Sequence, residues 1–132
     1  MSVDPSAPVG GPREMLADTV PTSVGRIRRF AVEACAASGT GADCDVVALL
    51  VSEVATNALV HGTGEVRIRV VPGDRVLRVE VSDASTDLPA LRRASLLDEG
   101  GRGVALVEAL SSAWGAEHTA SGKTVWFEVR PA

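Results

Sequence analysis

A narrow polar seam crosses an otherwise apolar stretch of the chain, and it carries the residue types best suited to chemistry. The stretch DVVALLVSEVATNALVH places Glu53, Asn57 and His61 at i, i+4 and i+8, which is one face of a helix. The Asn57 carbonyl oxygen is a hard ligand suited to Mg²⁺, and the Glu53 carboxylate could accept a proton from an attacking hydroxyl or water. His61 suits a helix C-terminus. By periodicity alone, a polar seam is more often a solvent-exposed face.

Two further segments suggest nucleotide binding. Asp83 ends the segment LRVEVSD, where a strand gives way to a loop, and its carboxylate could accept hydrogen bonds from a purine amino group. A turn-forming aspartate is the competing interpretation. The run from Glu99 through Gly101, Arg102 and Gly103 opens a helix, so its backbone N–H groups and the helix N-terminus would favour phosphate. Flexible loops have the same composition, so this loop alone is weak evidence.

The last apolar segment contributes a possible base contact. Thr124 and Trp126 fall on one face of a strand, whereas Val125, Phe127 and Val129 fall on the other and are expected in the core. Thr124 could hydrogen-bond a base. A β-branched residue in a strand also needs no functional explanation.

Periodicity predicts the elements that would position these residues. A first amphipathic helix begins near Thr22, a plausible cap, and the seam lies on a second helix that Asp43 or Asp45 can cap. Two period-two segments joined by PGDR predict a β-hairpin, and a second hairpin turns at SG near the end. A third helix, GVALVEALSSAW, lies between them. The long segment from Ala84 to Gly103 has little periodicity, and we interpret it as a lid.

This order predicts a two-layer α/β (α+β) sandwich, with a mixed, mostly antiparallel sheet and helices packed on one face. Residues 1–12 are rich in Pro and Gly and predict a disordered tail before one domain over residues 13–132. The 45% hydrophobic content with only two Phe and two Trp predicts a core of Val, Leu and Ala.

Composition excludes several classes of function. A net charge of −4 offers no general attraction for nucleic acid or an anionic membrane. No signal-peptide pattern or long apolar run is present, so we expect a soluble, cytoplasmic protein without a membrane partner. Cys35 and Cys44 lack a CxxC or Cys/His context, which predicts no zinc site and favours reduced, packed thiols.

In their order along the chain, SEVATNALVHG, VEVSDAS, GGRGVALVEAL and GKTVWFEV resemble the nucleotide-binding boxes of the GHKL (Bergerat-fold) ATPases. The resemblance spans residues 15–129 and is strongest at the first and last boxes. Because no histidine-bearing dimerisation domain precedes the boxes, the chain is most similar to the single-domain anti-sigma-factor serine/threonine kinases.

The resemblance implies a role for each box. It implies ATP and Mg²⁺ as ligands, with Asn57 holding the metal and Glu53 as catalytic base. Asp83 would recognise the adenine amino group, supported by Thr124. The phosphates would lie at Gly101, Arg102 and Gly103, which are grouped here as one glycine box. The implied partners are an anti-anti-sigma (STAS-type) protein and a sigma factor. The first helix could also supply a homodimer contact, although its arginines are more simply a solvated face.

The chain departs from the family pattern after the adenine-binding aspartate. Asp83-Ala84-Ser85-Thr86-Asp87 replaces Asp-x-Gly-x-Gly, so both glycines are missing and the pocket could be narrowed. The first hypothesis is a kinase that phosphorylates the anti-anti-sigma partner. The alternative is a non-catalytic partner-binding module with weak or lost nucleotide binding. An ATP-hydrolysing conformational switch fits poorly, because the sequence shows no transducer domain.

Overall fold

The computed structural model describes residues 11–61, 64–84 and 103–132. Its elements, in chain order, are β1 (Arg13–Ala17), α1 (Ser23–Ala37), α2 (Cys44–His61), β2 (Val66–Gly73), β3 (Val76–Asp83), α3 (Gly103–Leu110), β4 (Ala113–Thr119) and β5 (Gly122–Val129). The predicted order of helices and hairpins is confirmed, with one additional strand, β1. The interpretation of residues 84–103 as a lid falls mostly outside the described residues.

The strands form one five-stranded sheet in the order β1-β2-β3-β5-β4, and every neighbouring pair is antiparallel. β1 pairs with β2 from Arg13↔Val70 to Ala17↔Val66 and forms one edge of the sheet. The fold was expected to start near Arg13, but this strand was not predicted. Its five residues, REMLA, are too few and too irregular to give a period-two signal.

The sheet has one apolar and one charged face. Alternate residues along β2, β3 and β5 are buried beneath α1 and α2, and Phe127, Ile68 and Leu77 are fully buried. Burying a Val, Leu or Phe side chain contributes about 1.5–3 kcal/mol, so this layer supplies most of the stabilisation. The opposite face carries ion pairs, including Arg78 with Glu80 at 2.8 Å. The predicted two-layer sandwich is confirmed. We call the helix-covered side of the sheet the inner face and the other side the outer face.

The two long helices begin differently. Asp43 caps α2, since its Oδ1 accepts hydrogen bonds from the backbone N–H groups of Asp45 at 3.0 Å and Val46 at 3.3 Å. Thr22 occupies the N-cap position of α1 but makes no side-chain capping bond. Ser23, the first residue of α1, instead donates its hydroxyl to the Asp18 carbonyl at 2.8 Å and fixes the entry to the helix.

The expectation of reduced cysteines is wrong, because Cys35 and Cys44 form a disulfide. Their Cα atoms are 5.9 Å apart, within the range that a disulfide bridges. The bond joins the last turn of α1 to the first residue of α2. This pairing could not be predicted from the sequence, since the nine-residue separation belongs to no recognised spacing and becomes a contact only when the two helices fold back on each other.

None of the helices in the described residues is long and apolar enough to cross a membrane.

Candidate functional site

Several element ends meet at one end of the inner face, which we call the site end. The register pairs Arg67 with Ser82 and Asp83 with Lys123, so the start of β2, the end of β3 and the start of β5 lie side by side. Four residues join the end of α2 to β2, and at about 3.3–3.6 Å per residue they keep the last turns of α2 near this end. Helix α3 packs against α2. The C-terminus of α3 leads into β4, whose first residue, Ala113, pairs with Glu128 near the other end of β5. Gly103, at the N-terminus of α3, is therefore the end of the helix farther from β4.

Asn57 brings an unsatisfied oxygen to this region. The residue is 9% exposed, and its Oδ1 atom is buried with no hydrogen-bond partner among the described residues. A buried polar atom left unpaired costs about 1–3 kcal/mol, so such atoms in folded proteins call for an explanation. The alternative of a solvent-facing seam is therefore wrong at Asn57. Glu53 lies one helical turn earlier and is half-buried, which leaves its carboxylate partly accessible.

Asp83 is buried at the end of β3 beside a lysine that sequence analysis did not select. The side chains of Asp83 and Lys123 are 2% and 5% exposed, and their Oδ2 and Nζ atoms are 3.9 Å apart. Both residues continue the rows of buried side chains on the inner face, Asp83 after Val81 and Lys123 before Val125. The carboxylate proposed to read a base is thus accompanied by a buried cation.

Thr124 faces the outer side of the sheet. Its hydroxyl is 2.7 Å from that of Ser82, its partner in the register, and both point to the outer face. Neighbouring residues of a strand face opposite sides, so a shift of one position exchanges the two faces. The hydroxyl of Thr124 thus pairs with Ser82, and Lys123 is the residue that lies opposite Asp83 in the register. The alternation of Lys123 with Val125 and Phe127 was a usable signal for this.

A glycine makes the close approach of these strands possible. A Cβ atom built on Gly122 would lie 1.9 Å from the Asp83 carbonyl oxygen and 2.8 Å from the Ala84 Cα. Both are backbone atoms and cannot move aside cheaply. Gly122 therefore allows the turn before β5 to contact the end of β3, and it fixes Lys123 next to Asp83.

Only part of the predicted phosphate loop lies within the described residues. Gly103 is the first residue of α3, so the predicted helix start is present. Gly101 and Arg102 lie outside the described residues. Backbone N–H groups of the first turn of a helix are free to bind an anion, and this remains the role predicted for the glycine box.

A depression of about 570 Å³ lies on the outer face, apart from Asn57 and Lys123. Charged and polar residues of the outer face, among them Arg67, Arg69 and Glu80, line it together with Ser82 and Thr124. Asp83 and Ala84 also contribute to its lining at the end of β3. The unsatisfied oxygen and the buried ion pair belong to the inner face, so we assign the candidate site there.

The described residues contain no group of three or more His, Cys, Asp or Glu side chains that could hold a metal by themselves. Mg²⁺ commonly keeps several waters and binds through one or two protein oxygens together with substrate phosphates. A single buried carboxamide oxygen such as Asn57 Oδ1 fits that mode of binding.

The family model for the histidine kinase-like ATPase domain matches residues 18–129, which is most of the chain. The chain belongs to this family. The resemblance to GHKL ATPases that the four boxes suggested is thereby confirmed, and ATP is the nucleotide that membership implies for this ATPase domain. No curated protein sequence matches the chain.

Solved structures share the fold of this ATPase domain, among them the following two. One contains the RsbU and RsbW domains of Rv1364c from Mycobacterium tuberculosis, with a TM-score of 0.66, 23% identity, and coverage of 93% of this chain and 33% of that one. The other is the histidine kinase domain of the blue-light activated kinase from Erythrobacter litoralis EL346, with a TM-score of 0.50, 24% identity, and coverage of 83% and 59%. The chain therefore spans about a third of the first protein and less than two thirds of the second.

Proposed function

We propose that this ATPase domain binds ATP with Mg²⁺ at the site end of the inner face and transfers the γ-phosphoryl group to a serine or threonine of a partner protein. The observation that carries the proposal is the buried Oδ1 of Asn57, which has no hydrogen-bond partner among the described residues. A cation at this atom would satisfy it and would explain why an apolar helix retains a buried carboxamide.

Each residue has a distinct task in this proposal. Asn57 holds the metal, which when bound neutralises phosphate charge. Asp83 accepts a hydrogen bond from the adenine amino group, and the glycine box with the first turn of α3 donates backbone N–H groups to the phosphates. Phosphoryl transfer depends mainly on positioning and charge stabilisation, so little covalent chemistry is asked of the protein.

Glu53 is assigned as the catalytic base. It lies one turn from Asn57 on the same face of α2, and its half-buried carboxylate remains accessible to an acceptor hydroxyl. Removing a general base typically lowers the rate about 10²–10⁴-fold. The Glu53→Gln variant should therefore retain ATP binding and lose phosphoryl transfer.

The proposed partner is an anti-anti-sigma (STAS-type) protein, and a sigma factor would be the second, competing partner. This rests on the resemblance of the four boxes to the anti-sigma-factor kinases. The likeness in fold to a structure that includes an RsbW domain supports the same choice. A cytoplasmic location would follow from such partners.

A second candidate is a partner-binding module without catalysis. The missing glycines after Asp83 favour it, since Ser85 and Asp87, which stand in their places, give the backbone less freedom to approach a nucleotide. Phosphate transfer from radiolabelled ATP to a candidate anti-anti-sigma protein distinguishes the two. Transfer by the wild type and none by Glu53→Gln supports the kinase. Partner binding of equal strength in both proteins, with no transfer in either, supports the module.

A further inference from the structure

Lys123 is buried to a degree that is unusual for its type. Its side chain is 5% exposed, and lysine is almost never fully buried unless it is paired. Its partner, Asp83, is the residue assigned to the base in the proposed function. The two lie opposite each other in the register of β3 and β5, so the backbone pairing holds both side chains on the inner face at the site end.

The two charged groups of the pair make no direct hydrogen bond to each other. At 3.9 Å, Nζ and Oδ2 attract each other but are farther apart than a direct hydrogen bond allows. An ammonium carries three donors, and a carboxylate has about four acceptor positions. The pair therefore presents a hydrogen-bond donor next to an acceptor, with the two already held in place.

This arrangement is complementary to the Watson–Crick edge of adenine. The N6 amino group on that edge donates hydrogen bonds, and the neighbouring ring atom N1 accepts them. We propose that Lys123 is a base-reading residue, which donates to adenine N1 while Asp83 accepts from the N6 amino group. This rests on the proposed function for the position of the nucleotide and adds to it a determinant of base specificity.

The same pair opposes guanine in this orientation. Guanine has a carbonyl oxygen at position 6 and an N–H at position 1, so the oxygen would face the Asp83 carboxylate and the N–H would face the Lys123 ammonium. A site that hydrogen-bonds a substrate strongly rejects an analogue that leaves its buried polar groups unpaired. With Lys123, the base is recognised through two contacts, one acceptor and one donor, instead of through the Asp83 acceptor alone.

Two other roles for Lys123 make different predictions. A purely structural ion pair would stabilise the fold and leave nucleotide affinity unaffected by changes at adenine N1. A lysine that fills the base pocket would oppose binding, so its removal would strengthen the affinity for ATP. Measured affinities for base analogues distinguish these two roles from a direct contact between Lys123 and the base.

The test uses the whole domain and two analogues, each lacking one atom of the proposed contact. 1-Deaza-ATP replaces N1 by C–H and removes the acceptor for Lys123, whereas purine riboside triphosphate lacks the N6 amino group and keeps N1. Binding of each with Mg²⁺ is measured by calorimetry for the wild type, Lys123→Met and Lys123→Arg. The wild-type comparison needs no substitution and holds even if a variant folds poorly.

The wild type should bind 1-deaza-ATP about 10- to 100-fold more weakly than ATP, the loss expected for a hydrogen bond to a charged group. Lys123→Met should lower the affinity for ATP by a similar factor. It should bind ATP and 1-deaza-ATP about equally, because the contact to N1 is already lost. Lys123→Arg should restore the preference for ATP in part. The penalty on purine riboside triphosphate should persist in Lys123→Met.

Equal wild-type affinity for ATP and 1-deaza-ATP would overturn the inference, and so would unchanged or stronger ATP binding by folded Lys123→Met. Both results leave ATP binding itself intact. Failure of the wild type to bind any of the three nucleotides would instead contradict the proposed function. The two failures are therefore distinguishable in one series of titrations.

Discussion

Substitution of Gly122 by alanine should destabilise the fold out of proportion to the one methyl group that it adds. The new Cβ atom would lie 1.9 Å from the Asp83 carbonyl oxygen, and two more backbone atoms of residues 83 and 84 lie within 2.9 Å. Relief of this overlap requires the end of β3 and the turn before β5 to separate. Overpacking commonly costs about 1–3 kcal/mol, and a clash with backbone belongs at or above the upper end of that range.

Gly25→Ala provides the matched control. Gly25 lies in α1, and a Cβ there would meet nothing within 4 Å. Alanine is favoured over glycine in a helix by about 0.5–1 kcal/mol, so this variant should be as stable as the wild type or more stable.

Urea denaturation of the three proteins gives the free energies of unfolding, provided that the slope with denaturant is unchanged. We expect Gly122→Ala to lose about 3 kcal/mol or more and Gly25→Ala to lose none. A Gly122→Ala protein that unfolds at the wild-type urea concentration would refute the close approach of β3 and β5. The turn would then also no longer account for the position of Lys123 beside Asp83.

Three further outcomes follow from the packing. Reduction of the Cys35–Cys44 disulfide should lower the free energy of unfolding by about 2–3 kcal/mol for so short a loop, measured by urea denaturation with and without reductant; no change would contradict the bond. Gly115→Val should destabilise the fold by about 1–3 kcal/mol, because the new Cβ would lie 2.8 Å from the Trp126 ring. A variant that melts at the same temperature as the wild type would contradict this contact. Thr124→Val should lower the free energy of unfolding by about 1 kcal/mol, because the hydrogen bond to Ser82 is lost. ATP affinity should be unchanged, because Thr124 faces the outer side of the sheet. A large loss of ATP affinity, measured by calorimetry, would show instead that Thr124 belongs to the base site.

Most of the architecture could be predicted from the sequence because the signals were local. The alternation in β2 and β3 and the apolar spacing in α1 each depend on residues close in the chain, and the elements formed as expected. β1 was missed because its five residues have no alternating apolar pattern and form a strand only by pairing with the edge of β2. The Cys35–Cys44 bond was missed because it depends on the packing of α1 against α2.

The candidate site was predicted less completely than the fold. Periodicity placed Glu53 and Asn57 on one face, but only packing shows that the Asn57 oxygen is buried and unsatisfied. For β5, the strand was predicted correctly, but Lys123 was not selected as a site residue. Thr124 was selected by its resemblance to a family box, whereas the register places Lys123 opposite Asp83. Which residues of two strands face each other is a long-range property that a motif does not specify.

Binding of ATP and Mg²⁺ at Asn57 is measured by titrating ATP into the domain by calorimetry, with and without Mg²⁺, for the wild type, Asn57→Ala and the exposed neighbour Thr56→Ala as control. We expect Mg²⁺-dependent binding in the wild type and in Thr56→Ala, and its loss in Asn57→Ala. The unfolding free energy of Asn57→Ala should stay within about 1 kcal/mol of the wild type, because the oxygen that it removes is unsatisfied. Tight binding by a folded Asn57→Ala, or no binding by the wild type at millimolar ATP, would contradict the account.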